Sequence, residues 1–171
     1  MPSRISAFQP GNNDGVSVFR IRPGLPADLP VLTELYRRAS LSNSGNVAAL
    51  LAHPEVLVLT GEGISEGRTR VATSTWDHIV GFATTLRSGR ALELEDLFVD
   101  PDWMRQGVGR RLVRDVVAFA QRVHARRVEV TANPHALAFY ENVGFVHVGQ
   151  VVTRFGTGAR MHLDVAAGDA P

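Results

Sequence analysis

Residues 100–117, DPDWMRQGVGRRLVRDVV, combine two glycines with a cluster of arginines where a helix is predicted to begin. The cluster consists of Arg105, Arg110 and Arg111. Positive charge at a helix N-terminus opposes the helix dipole, so the arrangement is favourable only if an anion lies between the arginines. Free backbone N–H groups, the dipole and the guanidinium groups would then attract the same negative charge. Gly107 and Gly109 would let the backbone turn tightly and approach that charge. We interpret the stretch as a phosphate site.

Two better-known phosphate loops do not fit this stretch. The chain contains no G-K-[ST] sequence, and its glycines do not have the G-x-G-x-x-G spacing of a dinucleotide-binding fold. All 18 basic residues are arginine, so no lysine is present to form a Schiff base. The absence of cysteine removes thiolate nucleophiles, disulfides and cysteine-based zinc sites, and we expect no metal cofactor.

The first part of the chain is predicted to contain a strand and then a helix. Residues 16–23, VSVFRIRP, alternate apolar and polar side chains as a half-buried strand does. Asp28 is expected to cap a helix over residues 29–39, in which leucines recur at helical spacing. Residues 40–66 contain a loop, a helical stretch and a segment that suits a strand, a short helix or both.

The remainder of the chain shows strands arranged around one long helix. Three β-rich runs separated by turns predict an antiparallel meander, and an amphipathic helix follows over 109–123. A further strand comes directly after this helix, which predicts that the strands on either side of the helix are parallel neighbours. Asn133 and Pro134 are expected to open another helix, which Gly144 ends in the left-handed conformation. The strands expected here are residues 68–75, 79–86, 91–99, 126–132, 145–155 and 159–165.

Length and composition predict one globular domain. At 171 residues the chain suits a single core over residues 16–165, with a flexible leader at 1–15 and a flexible tail at 166–171. No apolar run approaches the ~20 residues that span a bilayer, and the N-terminus lacks the apolar core of a secretory signal, so a cytoplasmic protein without membrane contact is expected. A net charge of +1 argues against nucleic-acid binding.

Two separated motifs carry a resemblance to a known family. The first is LFVDPDWMRQGVG, which begins at Leu97, and the second is NPHALAFYENVGF, residues 133–145. Together they resemble the GNAT superfamily of N-acetyltransferases, over a span from about Val18 to Val165. The resemblance implies an α/β (α+β) fold: a mixed, mostly antiparallel central sheet of about six or seven strands, helices on both faces, and a parallel strand pair at the cofactor site. It also implies acetyl-CoA as co-substrate.

The resemblance assigns the cofactor contacts to particular positions. Backbone groups of Leu97, Phe98 and Val99 would hold the acyl-pantetheine arm, which Asn133 would also touch. Arg110 would add positive charge beside the pyrophosphate. The amides expected to hold the pyrophosphate are those of Met104, Arg105, Gln106, Gly107, Val108 and Gly109. Met104 replaces the family's usual Gln or Arg, and Arg105 replaces a common glycine, so weakened or rearranged contacts are expected there rather than loss of the site.

The chemistry of acyl transfer needs an acid, a base and a group that polarises the thioester. By the resemblance, Tyr140 would protonate the departing thiolate, while backbone N–H groups near Phe98 and Val99 would polarise the carbonyl. The candidate bases are Glu93, Glu95 and Asp96 on the strand before the loop, with Glu129 on its parallel neighbour. Glu93 is the first choice because it matches the base of the histone-acetylating branch. For each acid, a solvated surface carboxylate is the competing interpretation.

Strict alternation along ALELEDLFV would separate these acids between two faces of the strand. It places Asp96 and Phe98 on the face of Leu92 and Leu94, and leaves the other acids on the opposite face with Leu97 and Val99. A bulge would exchange the faces of the later residues. The sequence therefore leaves open which acid faces the cleft.

The acceptor is expected to be a small primary amine rather than a folded protein. Two alternatives remain open: a non-catalytic acyl-CoA-binding or regulatory module, and a protein N-terminal acetyltransferase. A homodimer is possible by analogy with relatives.

Overall fold

The computed structural model describes residues 19–42, 47–154 and 156–166, and its strands form one mixed sheet. In chain order the strands are β1 (Arg20–Pro23), β2 (Thr69–Thr73), β3 (Ile79–Ser88), β4 (Ala91–Val99), β5 (Arg127–Ala132), β6 (Val146–Thr153) and β7 (Gly156–Asp164). Their order across the sheet is β1-β2-β3-β4-β5-β7-β6. β4 and β5 are parallel, whereas the other neighbouring pairs are antiparallel. The predicted meander and the predicted parallel pair are both confirmed.

Helices cover both faces of this sheet, as expected. The described α-helices are α1 (Leu29–Ser42), α2 (Val47–Ala52), α3 (Glu62–Ser65), α4 (Val108–Arg122) and α5 (Leu137–Asn142). Short 3₁₀ turns precede α1, α3 and α5, and another opens the loop between β4 and α4. In the described part of the chain, no helix is long and apolar enough to cross a membrane.

Each face of the sheet has its own hydrophobic core. On one face, α4 buries Leu112, Val116 and Ala120 against strand residues that include Leu92 and Val128. The helical spacing of these α4 residues produces this buried stripe, and the arginines of the helix lie on its other side. On the opposite face, α1 packs leucines and an alanine against β2 and β3. The sheet is therefore held between α4 and α1.

Local expectations for the first half of the chain need two corrections. Asp28 does not cap α1: its carboxylate accepts a hydrogen bond from the Leu25 amide at 2.8 Å and pairs with Arg22 at 2.6 Å. The guanidinium group competes successfully for the carboxylate, which therefore turns toward the preceding strand. In the open segment 40–66, the described residues form α2, a 3₁₀ turn and α3, so the strand option is wrong.

Several predicted boundaries shift by a few residues. The described part of the first strand is β1, while residues 16–18 of the predicted strand lie outside the described residues. The leader 1–15, and all of the tail 166–171 except residue 166, also lie outside them. Asn133 and Pro134 open a 3₁₀ turn that leads into α5, but the Asn133 side chain makes no capping hydrogen bond. Gly144 has the expected left-handed conformation, with φ of 103°.

Candidate functional site

The parallel strands β4 and β5 diverge partway along their length. Their pairing covers only Ala91–Glu93 of β4 and Arg127–Glu129 of β5. Beyond these residues β4 remains paired with β3 as far as Val99, and β5 remains paired with β7 as far as Ala132. The facing edges of the two strands therefore have no strand partner among the described residues. This opening exposes backbone donors and acceptors in the middle of the sheet, where an extended ligand could add its own hydrogen bonds.

The loop after β4 ends in a run of unpaired amides. Within the described ranges, none of the six amides of residues 105–110 donates a backbone hydrogen bond of standard geometry. Arg105 and Gly107 are both left-handed, with φ of 60° and 88°, and Gly107 directly precedes α4. Successive amides in this kind of turn converge to form a concave anion site, which the N-terminal end of the helix dipole reinforces. This geometry is suited to an anion, and the phosphate site stays a prediction.

Arginines surround these amides without acidic partners. In residues 19–42, 47–154 and 156–166, Arg105, Arg110 and Arg111 form no ion pair. All three are exposed at the beginning of α4. Their charges are therefore available to an anion that binds the amides.

The two glycines of the loop have different roles. Gly107 is left-handed, and a Cβ atom there would meet nothing within 4 Å, so conformation is what requires glycine. Gly109 lies in the first turn of α4, where a Cβ would come within 3.1 Å of the Phe139 ring. Gly109 therefore allows α4 to pack closely against α5. That both glycines let the backbone approach a phosphate stays a prediction, and at Gly109 the packing against Phe139 is an additional reason for glycine.

Two other predicted loop residues use their polar groups within the loop. The Met104 amide donates to the Pro101 carbonyl at 3.4 Å, so the run of free amides begins one residue later than expected. The Gln106 side chain donates to the Asp102 carbonyl at 3.1 Å, and only its backbone amide remains free. The Met104 side chain is exposed.

A bulge in β4 decides which acids face which side of the sheet. The register with β3 shifts so that Asp96 lies opposite Thr84 and Leu94 lies opposite Thr85, which leaves Glu95 unpaired between them. Strict alternation therefore fails after Leu94. Leu97 and Val99 pack against the α4 core, whereas Phe98 packs against the α1 core. Asp96 consequently faces α1 rather than α4.

The bulge also places Asp96 beside a pair of threonines. Thr84 lies opposite Asp96 on β3, and the Thr84 and Thr69 hydroxyls lie 3.1 Å apart. Burial raises the pKa of Asp96, and this effect exceeds the opposing influence of Thr84. Asp96 forms no ion pair with the described residues. A half-buried carboxylate that binds a proton more readily than usual is suited to general-base chemistry.

The other candidate bases are held by arginines. Arg160 of β7 contacts both carboxylate oxygens of Glu93, at 2.6 and 2.7 Å, and also contacts Glu129 and the Thr131 hydroxyl. Arg68 contacts Glu95 at 2.5 Å. These contacts occupy carboxylate oxygens that a base would need for its proton. No sequence motif contains Arg160, and its partners lie 29 to 67 positions away along the chain, so sequence reasoning missed it.

A cavity of about 300 Å³ lies beside Asp96 on the α1 face. Its wall includes Tyr36, whose hydroxyl donates to the Val56 carbonyl at 2.9 Å and whose ring meets Phe98 edge-on at 4.7 Å. Gly63 forms part of the cavity where α3 approaches the sheet, and a Cβ atom on it would lie 2.5 Å from Thr84. The acids that line this cavity are Glu62, Glu95 and Asp96.

Tyr140 lies in the α4 core. It is therefore separated from Asp96, which faces α1, by the opening between β4 and β5. Its ring is 6% exposed and contacts Phe139 and Phe145 edge-on. The hydroxyl makes no hydrogen bond with any side chain or carbonyl in the described part of the chain. Burial and the nearby charge of Asp96 both raise the pKa of Tyr140. Asp96 is thus close enough to influence Tyr140 across the opening.

The fold and this site together define a class of protein. Its members have a mixed sheet in which two parallel strands diverge, and one of these strands leads to a helix whose N-terminus is suited to an anion. Residues 58–162 match the model of a family described as an acetyltransferase (GNAT) domain. This match covers more than half of the chain. The chain belongs to the GNAT acetyltransferase family.

Two relatives illustrate the similarity in sequence. Glucosamine 6-phosphate N-acetyltransferase 1 of rice, Oryza sativa subsp. japonica, is 30% identical over 160 residues, which cover 85% of this chain and 92% of the relative. The N-alpha-acetyltransferase RimI of Mycobacterium tuberculosis is 39% identical over 75 residues, or 42% of this chain and 48% of the relative. The match thus spans about half the length of the mycobacterial relative.

Solved structures show the same fold. A GCN5-related N-acetyltransferase from Rhodopseudomonas palustris superposes with a TM-score of 0.70 at 22% identity, covering 90% of this chain and 99% of that chain. The PaiA N-acetyltransferase of Thermoplasma acidophilum, in complex with coenzyme A, superposes with a TM-score of 0.68 at 15% identity, covering 86% and 99%. These similarities confirm the predicted fold class.

Proposed function

We propose that this protein transfers the acetyl group of acetyl-CoA directly to a primary amine on a small acceptor. One observation carries the proposal: six consecutive free amides at the N-terminus of α4 follow directly from the strand that diverges from β5. A pyrophosphate needs clustered donors, and an extended pantetheine arm needs a strand edge without a partner. The chain offers both features in adjacent positions.

The residues present fit coenzyme A without help from other groups. The amides of residues 105–110 and the unpaired arginines would hold the pyrophosphate, and the free edge of β4 at Leu97, Phe98 and Val99 would hold the arm. Asn133, whose side chain makes no capping bond, lies at the end of β5 and is available from the other edge. Acetyl-CoA supplies an acyl group activated as a thioester.

Asp96 is our choice of general base. An incoming amine must lose a proton as it forms its bond to the acyl carbon, and a carboxylate with a raised pKa accepts that proton more readily. Asp96 has this property and lines the cavity in which an amine would bind. The carboxylates of Glu93 and Glu95 are instead occupied by contacts with Arg160 and Arg68, which leaves their oxygens less accessible to an amine.

Tyr140 remains our choice of proton donor to the departing sulfur. A general acid must carry its proton when it is needed, and burial keeps the Tyr140 hydroxyl protonated. The hydroxyl is also free of hydrogen bonds to the described residues, so it is available to a ligand in the opening. Core packing alone would account for the ring but does not require a hydroxyl group on it.

The cavity favours a small acceptor. A volume of about 300 Å³ is at the lower end of the range for small-molecule sites. Three acids and one arginine, Arg68, line it, which suits a cationic amine. Among the relatives, one is named for a phosphorylated amino sugar and another for α-amino groups, so both a small amine and a peptide N-terminus belong in the test.

The proposal can be tested by measuring CoA release with a thiol reagent. The purified protein is incubated with acetyl-CoA and separate panels of amino sugars, linear amines, amino acids and short peptides. Turnover with small amines supports the proposal, whereas turnover restricted to peptides would assign an N-terminal acetyltransferase instead. Calorimetry with CoA is run in parallel. CoA binding without turnover on any panel would favour a non-catalytic acyl-CoA-binding module.

A further inference from the structure

An arginine of α1 binds two aspartates in the loop that carries the free amides. Arg38 of α1 donates to both carboxylate oxygens of Asp100, at 3.0 and 3.2 Å, and to the Asp102 carboxylate at 2.9 Å. These partners lie 62 and 64 positions further along the chain. The contact therefore joins two elements that are remote in sequence, rather than neighbours on one helix.

Asp100 and Asp102, which Arg38 binds, control the conformation of the loop. The Asp100 side chain is 13% exposed, and its carboxylate also accepts the Asp102 amide at 3.0 Å. The Asp102 carbonyl in turn accepts the Gln106 side chain at 3.1 Å. A continuous set of hydrogen bonds thus runs from Arg38 through Asp102 to Gln106, which lies within the run of free amides.

Charge gives Arg38 a second effect on the same loop. Asp100 and Asp102 place two negative charges shortly before an anion site, where they would repel a pyrophosphate. Arg38 contacts both carboxylates and compensates for part of that charge. Because the Asp102 side chain is 78% exposed, this effect should weaken with added salt.

We infer that Arg38 is a positioning residue for coenzyme A: it holds the pyrophosphate-binding loop in its receptive conformation and offsets the charge of Asp100 and Asp102. It does so without touching the ligand itself. The inference rests on the proposed function, since it assigns the free amides to pyrophosphate. It adds a residue that neither sequence motif contains and that lies on the helix beside the acceptor cavity.

The test compares Arg38→Gln with Arg37→Gln as a matched control. Arg37 is the neighbouring arginine on α1, and its only ion pair in the described part of the chain is a 3.9 Å contact with Glu34. We expect Arg38→Gln to raise the Kd of CoA about tenfold by calorimetry, from the loss of three charge-assisted hydrogen bonds. Arg37→Gln should leave that Kd unchanged. Arg38→Lys keeps the charge but loses the bidentate contact with Asp100, so its Kd for CoA should lie between those of the wild-type protein and Arg38→Gln.

A shortened acetyl donor distinguishes a positioning role of Arg38 from general damage to the protein. S-acetylpantetheine carries the thioester but no pyrophosphate, so Arg38→Gln should raise KM for acetyl-CoA while leaving kcat/KM for S-acetylpantetheine unchanged. Adding Asp102→Asn to Arg38→Gln should recover part of the CoA affinity. If Arg38→Gln does not fold, Arg38→Lys and Asp102→Asn provide the same comparison.

Three outcomes would overturn the inference. The first is an unchanged Kd of CoA in Arg38→Gln, and the second is an equal loss of activity with both donors. In either case wild-type protein still binds CoA, so the proposed function survives. The third is a wild-type protein that binds no CoA at all, which removes the proposed function together with this inference.

Discussion

Three carboxylates on β4 differ in their surroundings although they are close neighbours in sequence. Glu93 is enclosed by a guanidinium group that contacts both of its oxygens, and Glu95 is bound to Arg68 at the bulge. Asp96 instead forms no ion pair with the described residues, and burial raises its pKa. Proximity to arginine favours the charged, weakly basic form of a carboxylate, while desolvation has the opposite effect. Asp96 is therefore the carboxylate best suited to accept a proton.

The first prediction concerns catalysis by Asp96. Asp96→Asn should lower kcat at least ~100-fold, because general-base contributions are commonly of this size. The Kd of CoA should stay unchanged, because Asp96 lies outside the amide run. In wild-type protein, activity should fall as acid protonates Asp96, with an apparent pKa above the ordinary aspartate value of 3.8. Steady-state kinetics across pH test this point.

Glu95→Gln is the matched control for that experiment. It removes the neighbouring charge on the same strand and the contact with Arg68, and should lower kcat by no more than a few-fold. If Glu93→Gln or Glu95→Gln abolished turnover while Asp96→Asn did not, the assignment of the base to Asp96 would be wrong.

The second prediction concerns the effect of Asp96 on stability. Because its pKa is raised in the folded protein, Asp96 binds a proton more tightly in the folded state than in the unfolded state. Folding is therefore most favourable below the ordinary pKa, and stability is lost as pH rises through the folded-state pKa. At neutral pH, Asp96→Asn should raise the melting temperature. The advantage should shrink on acidification toward pH 3.8. An advantage that stayed constant across this pH range would contradict the argument.

At the scale of elements, Arg160 of β7 contacts side chains of β4 and β5 just before these two strands diverge. Glu93 of β4 and Glu129 of β5 are register partners in the parallel pair, so two like charges face each other. Arg160 of β7 lies between them and contacts both. This ion triad lies where the strands are still paired, and the strands diverge immediately beyond it. The triad therefore stabilises the closed end of the opening.

The third prediction tests this role. Arg160→Gln should lower the free energy of unfolding by about 2 kcal/mol, less than for a fully buried pair because all three side chains are partly exposed. Urea unfolding gives the measurement. Combining Arg160→Gln with Glu129→Gln should reduce the loss, because a facing charge has been removed. Arg127→Gln, which breaks an exposed contact with Glu129, should cost less than about 1 kcal/mol. Equal losses for Arg160→Gln and Arg127→Gln would exclude this role.

Local sequence patterns predicted most of the elements. The apolar stripe of α4, the alternation in the β-rich runs and the glycine at the end of α5 each depend on residues close together in the chain, so periodicity reveals them. The parallel pairing of β4 and β5 followed from the helix between them. The amide run was visible because glycines and arginines occur together at a helix N-terminus.

Contacts between distant residues were the part that sequence reasoning could not supply. The bulge at Glu95 depends on its register with β3, so alternation alone misplaced Asp96 and Phe98. Motif spacing favours Glu93 as the base, and this stays a prediction, but spacing cannot reveal its contact with Arg160, which lies 67 positions away. Asp28 was assigned as a helix cap because the capping rule ignores a guanidinium group on the preceding strand. In each case a tertiary partner determined the role of a side chain.

At the scale of the whole molecule, the site divides the sheet into two halves that meet only at the closed end of the opening. One half carries β1 to β4 and the cavity beside Asp96, and the other carries β5 to β7. A ligand arm lying between the two free edges would donate to and accept from both halves. Binding should therefore stabilise the whole sheet and not only the loop of residues 105–110, to which we assign the pyrophosphate.

The fourth prediction follows from that geometry. At 100 times its Kd, CoA should stabilise the folded protein by about 2.7 kcal/mol, which raises the melting temperature by roughly 5–10 °C for a chain of this size. Hydrogen exchange should slow at the amides of residues 105–110 and at those β4 amides beyond Glu93 that are directed toward β5, because these donors have no strand partner. The β1–β2 pair lies at the far edge of the sheet and serves as the internal reference: slowing there reports stabilisation of the whole sheet, and the amides at the site should slow by more. Pantetheine alone should protect the strand edges and leave residues 105–110 unchanged. If CoA protected only the loop, the opening between β4 and β5 would not be the site of the arm.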